Sequence, residues 1–470
     1  MQLDFNQQKA AQYNQGNSII IAGAGSGKTT TLIYKVNNLI QNCGVSEKDI
    51  LVISFTNKAV DNFKEKVKHN IDVYTFHKLA LSICEQVKEI NIAEDYVLYD
   101  VIISTLSEID VTLKKKLYKL FRHDYKKFSP NNYKKIIEEK SFNSLVNTIT
   151  SICRIIKTNN IDINKLKTSI FRKNEIIILY LCKIIISSYN ATLKENGMMD
   201  FDDLIISATK LIKSQKALIS YKYIIVDEYQ DISRIRLDFL EALVSCNKGI
   251  VCVVGDDWQA IFGFSGSNIN LFYNFQKHFK NVKVFYLDNS YRCPKKILEK
   301  SGKFILKNKS QIRKNVKAIS AVKGHIYKIY YNNKQKSFKK IVTKLIKYDK
   351  KILVLSRNNF DIYEYLFPGM DYDGETFRIN NRIYKNILFM TIHKAKGLEA
   401  DIVIILNLSS NQNGFPSTKK IDIIEKINPS REQIKNPEER RLFYVALTRT
   451  KSDVYLFVDS KMPSSFAKEI

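Results

Sequence analysis

The sequence predicts an α/β protein with two parallel-sheet lobes, the first of them interrupted by a helical insertion. Three observations support this fold class. Short apolar runs typical of buried strands alternate with amphipathic helical patterns, which favours parallel sheets. The first of these runs ends abruptly in a glycine-rich loop. A glycine-poor stretch with long helical periodicity separates the early strands from the later ones.

The glycine-rich loop lies in Ile19–Thr30, where a β-branched run stops at glycines and a Lys-Thr pair. Glycines in such a loop let backbone N–H groups turn inward around phosphate oxygens at a helix N-terminus. Lys28 is placed to reach the β- and γ-phosphates, and the Thr29 hydroxyl to ligate Mg²⁺. A glycine turn without nucleotide is the alternative. The residues predicted to hold the nucleotide are Gly23, Gly25, Ser26, Gly27, Lys28, Thr29 and Thr30.

Two later strands of the same unit end in residues suited to phosphate chemistry. Tyr223–Asp231 is a buried-type strand that reaches a carboxylate pair. Asp227 is predicted to hold Mg²⁺, and Glu228 to polarise an attacking water. The strand Ile250–Val254 leads to Gln259, which would lie at the carboxyl edge of the sheet and sense a γ-phosphate.

Other residues suggest contacts with a nucleic acid. A buried-type strand runs into a helix whose start offers Thr56 and Asn57, a typical place for a backbone phosphate. His77 also follows a strand, although a lone histidine there is usually structural. Phe262 and Phe264 lie in a glycine-bearing loop, where aromatic rings either stack on unpaired bases or belong to the core.

Composition supports a globular protein with a polyanionic partner. The chain has 470 residues, 45% of them apolar, and a formal net charge of +28. Such a surplus favours nucleic acid or an anionic membrane surface. No apolar run in the sequence approaches the roughly 20 residues that span a bilayer, and the N-terminus Met1–Asn6 lacks a basic-then-apolar leader. We therefore expect a soluble cytoplasmic protein without a membrane partner.

The domain organisation follows from these patterns. We expect a first lobe in two parts, 1–90 and 196–284, around a basic helical insertion at 91–195. The insertion carries lysine bunches at Lys114–Lys116 and Lys126–Lys127, although each single lysine is better explained as solvated surface. The second lobe is expected at 285–470. Its last amphipathic helix presents Arg449, which would donate bidentately to a γ-phosphate across a cleft.

With the motifs in this order, the chain resembles the superfamily 1A DNA helicases of the UvrD/Rep/PcrA group from end to end. Within that group, the wording Gly255-Asp-Asp-Trp-Gln259 is most similar to the helicase IV branch. The resemblance implies two RecA-like lobes of the P-loop NTPase type that face each other across an ATP cleft. The motifs that carry the resemblance are Ala22–Thr29, Phe55–Ala59, Thr75–His77, Asp200–Asp203, Asp227–Asp231, Gly255–Gln259, Ser290–Arg292, Thr391–Glu399 and Tyr444–Arg449.

The resemblance also implies roles for individual residues. Gln7 would read adenine, Tyr291 would stack on it, and Glu399 would hold the ribose. The γ-phosphate would be surrounded by Lys28, Gln259, Arg292 and Arg449, with Thr29 and Asp227 on Mg²⁺ and Glu228 as base. Positions that contact single-stranded DNA in the family are matched by Phe55, His77, Phe262, Phe264 and His393.

Two departures from the family pattern matter for function. Only 100 positions separate Tyr291 from Thr391, too few for the large 2B insertion, so we expect little or no 2B domain. Phe262–Ser265 stands where the family often has the motif Tyr-x-Trp-Arg, and it lacks the arginine of that motif.

The resemblance implies ATP-dependent 3′–5′ movement on single-stranded DNA, with junctions or tailed duplexes as partners. Two alternatives stay open. One is a nucleotide-gated DNA-binding or sensor subunit of a larger complex, for example with a partner nuclease in anti-phage defence. The other is an RNA helicase.

Overall fold

The computed structural model of the chain describes residues 3–121, 129, 140–411, 413–417, 422–429 and 432–470. Lys126–Lys127, predicted to belong to a basic face, lie outside the described residues. The described residues form two parallel sheets and a helical insertion in the first lobe. The predicted fold class, two α/β lobes with a helical insertion, is confirmed. The exact domain boundaries stay a prediction.

The first lobe is built on a sheet of six parallel strands. Separate hydrophobic clusters cover its two faces, which explains why its strands are continuous apolar runs. In spatial order the strands are Asp72–Thr75, Ile50–Ser54, Tyr223–Val226, Ile250–Gly255, Ser18–Ala22 and Lys283–Leu287. The helices are Phe5–Gln12, Lys28–Gln41, Asn57–Lys66, Phe76–Glu85, Phe201–Lys213, Arg234–Cys246, Ile269–Tyr273 and Phe275–His278.

One strand lies in a different lobe from the one predicted. The sequence places Phe285 at the start of the second unit. In the structure the strand Lys283–Leu287 pairs in parallel with Ser18–Ala22 and completes the first sheet. The pattern of alternating strands and helices does not say to which sheet a strand belongs, because an edge strand of one lobe and a first strand of the next look alike.

The second lobe has a sheet of five parallel strands, again covered on both faces. In spatial order the strands are Ile326–Tyr331, Thr450–Asp459, Ala400–Leu408, Ile352–Ser356 and Ile387–Thr391. The helices are Lys295–Ile305, Lys334–Leu345, Asp422–Ile427, Pro437–Leu447 and Ser465–Glu469.

A small antiparallel sheet stands in the interval where a 2B domain would be inserted. Its strands are Met370–Tyr372, Phe377–Ile379 and Arg382–Tyr384, and Phe377 packs into the core of the second lobe. Every residue between Tyr291 and Thr391 is described, and this meander is the addition to the parallel sheet there. The finding agrees with the prediction of little or no 2B domain.

The helical insertion has its own core. Its long helices are Asp95–Glu108, Val111–Phe121, Lys140–Thr158 and Lys173–Glu195. The short strands Asn91–Ile92 and Met198–Met199 pair in parallel where the chain enters and leaves. Ile423 and Ile427 of the second lobe also belong to this core, and Lys426 Nζ lies 2.5 Å from Glu175 Oε2. The segment 422–429, which we call the bridge, therefore ties the second lobe to the insertion.

The expectation about apolar runs needs a correction. Among the described residues one helix, Lys173–Glu195, is long and apolar enough to cross a bilayer by length and composition. Lys183 and several small polar residues interrupt the apolar run of this helix. The helix therefore does not stand out in the sequence as one long apolar segment. Leu181, Cys182 and Ile185 are fully buried in the insertion core. The core helix of a globular domain passes the same test.

The connection between the lobes crosses the cleft more than once. After Lys283–Leu287 the chain enters the second lobe as the helix Lys295–Ile305. Residues 308–318, which we call the return segment, then come back to the first lobe. There Lys317 and Ala318 pair in parallel with Asn289 and Ser290. The chain finally crosses again to the strand Ile326–Tyr331.

Candidate active site in the cleft between the lobes

The glycine-rich loop joins the strand Ser18–Ala22 to the helix Lys28–Gln41. Gly25 and Gly27 have φ angles of 70° and 76°, a left-handed conformation that glycine adopts without strain. A Cβ atom on Gly25 would also come within 2.6 Å of the Arg292 Cβ. The chain that leaves the last strand of the first sheet therefore covers the loop closely.

The loop has the donors that an anion needs. Lys28 and Thr29 begin the helix, and Thr30 lies in its first turn, where backbone N–H groups lack intrahelical partners. The Ser26 hydroxyl is buried and has no hydrogen-bond partner among the described residues. Such an unsatisfied group, together with the helix start, fits the phosphate chain of a nucleotide.

The two predicted carboxylates face the start of this helix. Asp227 Oδ2 accepts a hydrogen bond from Thr29 Oγ1 at 3.2 Å. A hydroxyl and a carboxylate that converge in this way are oxygen ligands suited to Mg²⁺. Glu228 Oε1 lies 3.0 Å from Lys28 Nζ. Its φ of 52° is unusual for a residue with a side chain, and such strain is typical of functional sites.

The environment shifts the pKa values of this pair in opposite directions. Burial, and then the charge of Glu228, raise the pKa of Asp227 to about 6. Burial also acts to raise the pKa of Glu228, but the positive charges of Lys28 and Lys396 outweigh it and lower that pKa to about 2. Glu228 is therefore held as a carboxylate, the form that accepts a proton.

Gln259 and Arg449 meet across the cleft. Arg449 Nη2 donates to Gln259 Oε1 at 2.9 Å, and Gln259 Nε2 donates to Asp256 Oδ2 at 2.5 Å. Burial, and then the nearby charge of Arg292, lower the pKa of Arg449 to about 10, which leaves the guanidinium charged at neutral pH. The amide of Gln259 thus links the first lobe to a cation of the second.

Arg292 and Glu399 form a second contact in the cleft. Arg292 Nε donates to Glu399 Oε2 at 2.7 Å, and Lys451 Nζ lies 2.7 Å from Glu399 Oε1. Burial acts to raise the pKa of Glu399, but the hydrogen bonds from Lys451 and Arg292 lower it to about 2. Glu399, predicted to hold a ribose, is paired here with two cations.

The predicted adenine contacts lie at the rim of the loop. Gln7 is buried, and its Nε2 donates to Ser26 O at 3.0 Å. Its Oε1 accepts from the backbone N–H of Asp4, which completes a capping box for the helix Phe5–Gln12. The Tyr291 hydroxyl donates to Asp4 Oδ2 at 2.7 Å, and the ring is 39% exposed.

Three of the predicted DNA contacts form one aromatic cluster. Phe262, Phe264 and His393 have ring centroids 5.1 to 6.3 Å apart. Phe264 is 46% exposed, so nearly half of this side chain is open to solvent. Burial, and then the charges of Arg357 and Lys396, lower the pKa of His393 to about 3. The imidazole is therefore neutral.

The other predicted contacts lie on the first lobe. The Thr56 side chain caps the helix Asn57–Lys66, and Thr56 and Asn57 are both exposed. Phe55 packs edge-on against Phe76 at 5.3 Å. The His77 ring lies 5.1 Å from the half-exposed Phe201. Burial, and then the charge of Arg236, lower the pKa of His77 to about 4.

Sequence reasoning missed two lysines of the cleft. Lys396 Nζ lies 2.5 Å from Asp231 Oδ2 and 3.9 Å from Glu228 Oε2, and it donates to Gln259 O at 2.8 Å. The sequence did indicate a role for Lys396, because this lysine lies in the motif Thr391–Glu399.

The second missed residue is Lys314, in the return segment. It is almost wholly buried; its Nζ contacts Asp256 and Asp257, and donates to Ala22 O at 3.1 Å. A single lysine in a stretch rich in lysines could not be distinguished in the sequence from its exposed neighbours.

Comparison with known proteins assigns the family. The chain matches the family described as UvrD/REP helicase N-terminal domain over residues 3–280, and UvrD-like helicase C-terminal domain over 373–461. The first match alone covers more than half of the chain.

Individual relatives agree. DNA helicase IV of Escherichia coli K12 is 28% identical over 98% of this chain and 69% of its own length. Rep of Buchnera aphidicola subsp. Schizaphis graminum is 27% identical over 93% and 67%. PcrA of Staphylococcus aureus strain Mu50 is 25% identical over 92% and 58%. The chain therefore belongs to the UvrD/Rep/PcrA group of superfamily 1A helicases, which are ATP-hydrolysing DNA helicases.

Proposed function

We propose that this chain is an ATP-driven translocase on single-stranded DNA that moves 3′ to 5′ and separates the strands of tailed duplexes or junctions. The observation that carries the proposal is the buried contact between Arg449 and Gln259. It joins a cation of the second lobe to a residue just after the strand Ile250–Gly255, which pairs with the strand that leads into the nucleotide loop. Closing and opening of such a contact can couple hydrolysis to relative movement of the lobes.

In this proposal the cleft residues act on the phosphates of ATP. Lys28 leaves Glu228 for the β- and γ-phosphates, and Arg292 leaves Glu399 for the γ-phosphate, which frees that carboxylate for the ribose. Arg449 and Gln259 stabilise charge on the transferring phosphoryl group. Glu228 accepts a proton from the attacking water. Thr29 and Asp227 would hold Mg²⁺, which would neutralise phosphate charge.

The aromatic cluster and the patch around Phe55 and His77 are the proposed grips on the strand. The half-exposed ring of Phe264 and the neutral imidazoles of His77 and His393 favour stacking on bases over pairing with phosphates. Thr56 and Asn57, at an exposed helix start, would contact the backbone. Alternating grip by the two patches, one on the first lobe and one at the cleft, would ratchet the strand.

Steady-state hydrolysis of ATP tests the proposal. The wild type and Glu228→Gln are compared with and without single-stranded DNA, at low salt because phosphate contacts are salt-sensitive. Strong stimulation by DNA that Glu228→Gln abolishes is the expected result, and unwinding of a 3′-tailed against a 5′-tailed duplex then tests polarity. Competition of single-stranded RNA with DNA in stimulating hydrolysis distinguishes a DNA helicase from an RNA helicase.

A second candidate is the nucleotide-gated DNA-binding or sensor subunit of a larger complex, such as one with a partner nuclease. The meander Met370–Tyr384 favours it, because a short meander in place of a 2B domain offers less surface for a duplex. Slow hydrolysis indifferent to DNA, together with a stoichiometric complex in gel filtration with neighbouring gene products, is its expected signature.

A further inference from the structure

Most of the chain's net positive charge lies in one stretch, which belongs to the second lobe apart from the return segment. Residues 292–351 contain twenty lysine and arginine residues and two acidic residues, a net charge of +18 out of +28 for the whole chain. The remaining residues are therefore much closer to neutral. A charge surplus that is local rather than spread over the surface indicates a particular contact with a polyanion.

The helix Lys334–Leu345 organises part of this charge into a line. Its buried side is Phe338, Val342 and Leu345, which pack into the core of the second lobe. With 100° between successive helix residues, the opposite side carries three exposed lysines, and a fourth exposed lysine lies in the turn just after the helix. These residues, which we call the lysine stripe, are Lys336, Lys340, Lys344 and Lys347.

The stripe has the length of a nucleic-acid backbone contact. Lys336 and Lys347 are eleven positions apart, which corresponds to about 16 Å at 1.5 Å per residue, or roughly five base pairs of duplex at 3.4 Å of helix axis each. The helix contains no acidic residue. Glu364 of the neighbouring 3₁₀ turn pairs with Lys334, which is not part of the stripe. Lys350 and Lys351, both exposed, continue the charge beyond the helix.

The stripe is separate from the aromatic cluster. Its helix follows the edge strand Ile326–Tyr331, whereas His393 follows the strand Ile387–Thr391 at the other edge of the five-stranded sheet. Four steps of about 4.8 Å between parallel strands put the two edges roughly 19 Å apart. Because all five strands are parallel, the helix begins at the same end of the sheet that carries His393.

From this placement we infer that the lysine stripe binds the phosphate backbone of the duplex part of a tailed DNA. The inference rests on the proposed function, since it concerns DNA beside the single-strand track. A duplex is favoured over an acidic peptide because the charges form an extended line without apolar residues among them on the same side of the helix. Lysines without a planar fork suit a contact that does not depend on sequence.

Equilibrium binding of the full chain tests the inference. Lys336, Lys340, Lys344 and Lys347 are replaced together by Gln. The control replaces the same number of exposed lysines on the first lobe, Lys66, Lys210, Lys213 and Lys216, also by Gln. Fluorescence anisotropy gives the affinity of each protein for a 3′-tailed duplex and for its single-stranded tail alone, between 50 and 200 mM salt. The two variants carry equal net charge, so a difference between their affinities reports the position of the lysines and not the total charge.

We expect the stripe variant to bind the tailed duplex at least tenfold more weakly than the control variant at low salt. The slope of log affinity against log salt should be smaller in magnitude by about three to four for this variant, since each lost phosphate contact removes about 0.9 from the slope. Affinity for the tail alone should match that of the control. Equal binding of the tailed duplex by both variants, or an equal loss for duplex and tail, would overturn the inference. Failure of the proposed function would instead appear as wild-type hydrolysis indifferent to DNA, and these binding comparisons do not depend on hydrolysis.

Discussion

Arg449 Nη2 of the second lobe lies 2.9 Å from Gln259 Oε1 of the first lobe, and both side chains are buried. The amide is held from its other end by Asp256, which in turn contacts Lys314. A continuous line of hydrogen bonds and ion pairs therefore runs from the return segment to the far side of the cleft. Removing one member leaves each of its neighbours with a buried polar group that has lost one partner.

Replacement of Arg449 should affect turnover more than binding of ATP. If the guanidinium stabilises charge that develops on the γ-phosphate, Arg449→Ala lowers kcat with single-stranded DNA by about 10³-fold or more. Arg449→Lys keeps the charge, loses the planar fork and should recover only part of the loss. Steady-state ATPase assays measure both values. The exposed Arg382→Ala is the control, and wild-type turnover by Arg449→Ala would contradict the cleft assignment.

Lys314→Met should destabilise the protein by about 3–5 kcal/mol, because it leaves Asp256 and Asp257 buried without their cation. Adding Asp257→Asn should restore part of the stability, since one of the two uncompensated charges is then removed. Denaturant unfolding gives both free energies. Lys317→Met, three residues along the chain and exposed, should change stability by less than about 0.5 kcal/mol. Equal effects at the two positions would rule out a structural role for Lys314.

The bridge should hold the insertion against the second lobe. Ile423→Ala with Ile427→Ala removes two side chains from the insertion core, and we expect faster amide hydrogen exchange in the helix Lys173–Glu195. Exchange followed by mass spectrometry measures this. Ile424→Ala is the control, because Ile424 is only partly buried against the same core. Unchanged protection of that helix in the double variant would show that the bridge contributes nothing there.

His393 should make the protein less stable as the pH falls. Its pKa of about 3 in the fold lies below the ordinary 6.5, so below pH 6.5 the unfolded chain binds a proton that the folded chain does not. His393→Asn should remove about 1 kcal/mol of the stability loss between pH 6.5 and 5.5. Denaturant unfolding at both pH values tests this, with the half-exposed His325→Asn as control. A slope unchanged by His393→Asn would contradict the prediction.

Phe264→Ala should weaken binding of single-stranded DNA by about 1–3 kcal/mol, the usual contribution of one stacked base. Phe264→Tyr keeps the ring and should bind nearly as the wild type does. Anisotropy titrations with an unstructured oligonucleotide compare them. The exposed Phe360, on the second lobe, provides the control variant Phe360→Ala. A loss no larger than that of Phe360→Ala would remove Phe264 from the proposed track.

The two-lobed fold could be predicted because its signals are local. A β-branched run that ends in Gly23–Lys28 and a strand that ends at Asp227 each encode their own place at the carboxyl edge of a parallel sheet. The lobe of the strand Lys283–Leu287 could not be predicted, since strand pairing is decided by packing between distant segments.

The cleft shows the same division. Lys28, Glu228 and Arg449 stand in recognisable motifs, but their present partners do not follow from motifs. Lys396 and Lys314 act through contacts 165 and 58 residues away in sequence, which no spacing rule describes. The bridge is a further case, because a six-residue helix far along the chain supplies core residues to the insertion.

The return segment has a practical consequence for dividing the molecule. A fragment cut before Arg292 would keep Asp256 and Asp257 but lose the ammonium group that neutralises them, and Trp258 Nε1 would lose the Ile312 carbonyl that it binds at 3.0 Å. The complementary fragment would carry Lys314 with no acidic cavity to receive it. The return segment thus interlocks the two lobes, and we expect separately produced halves to recover their native cores only when mixed.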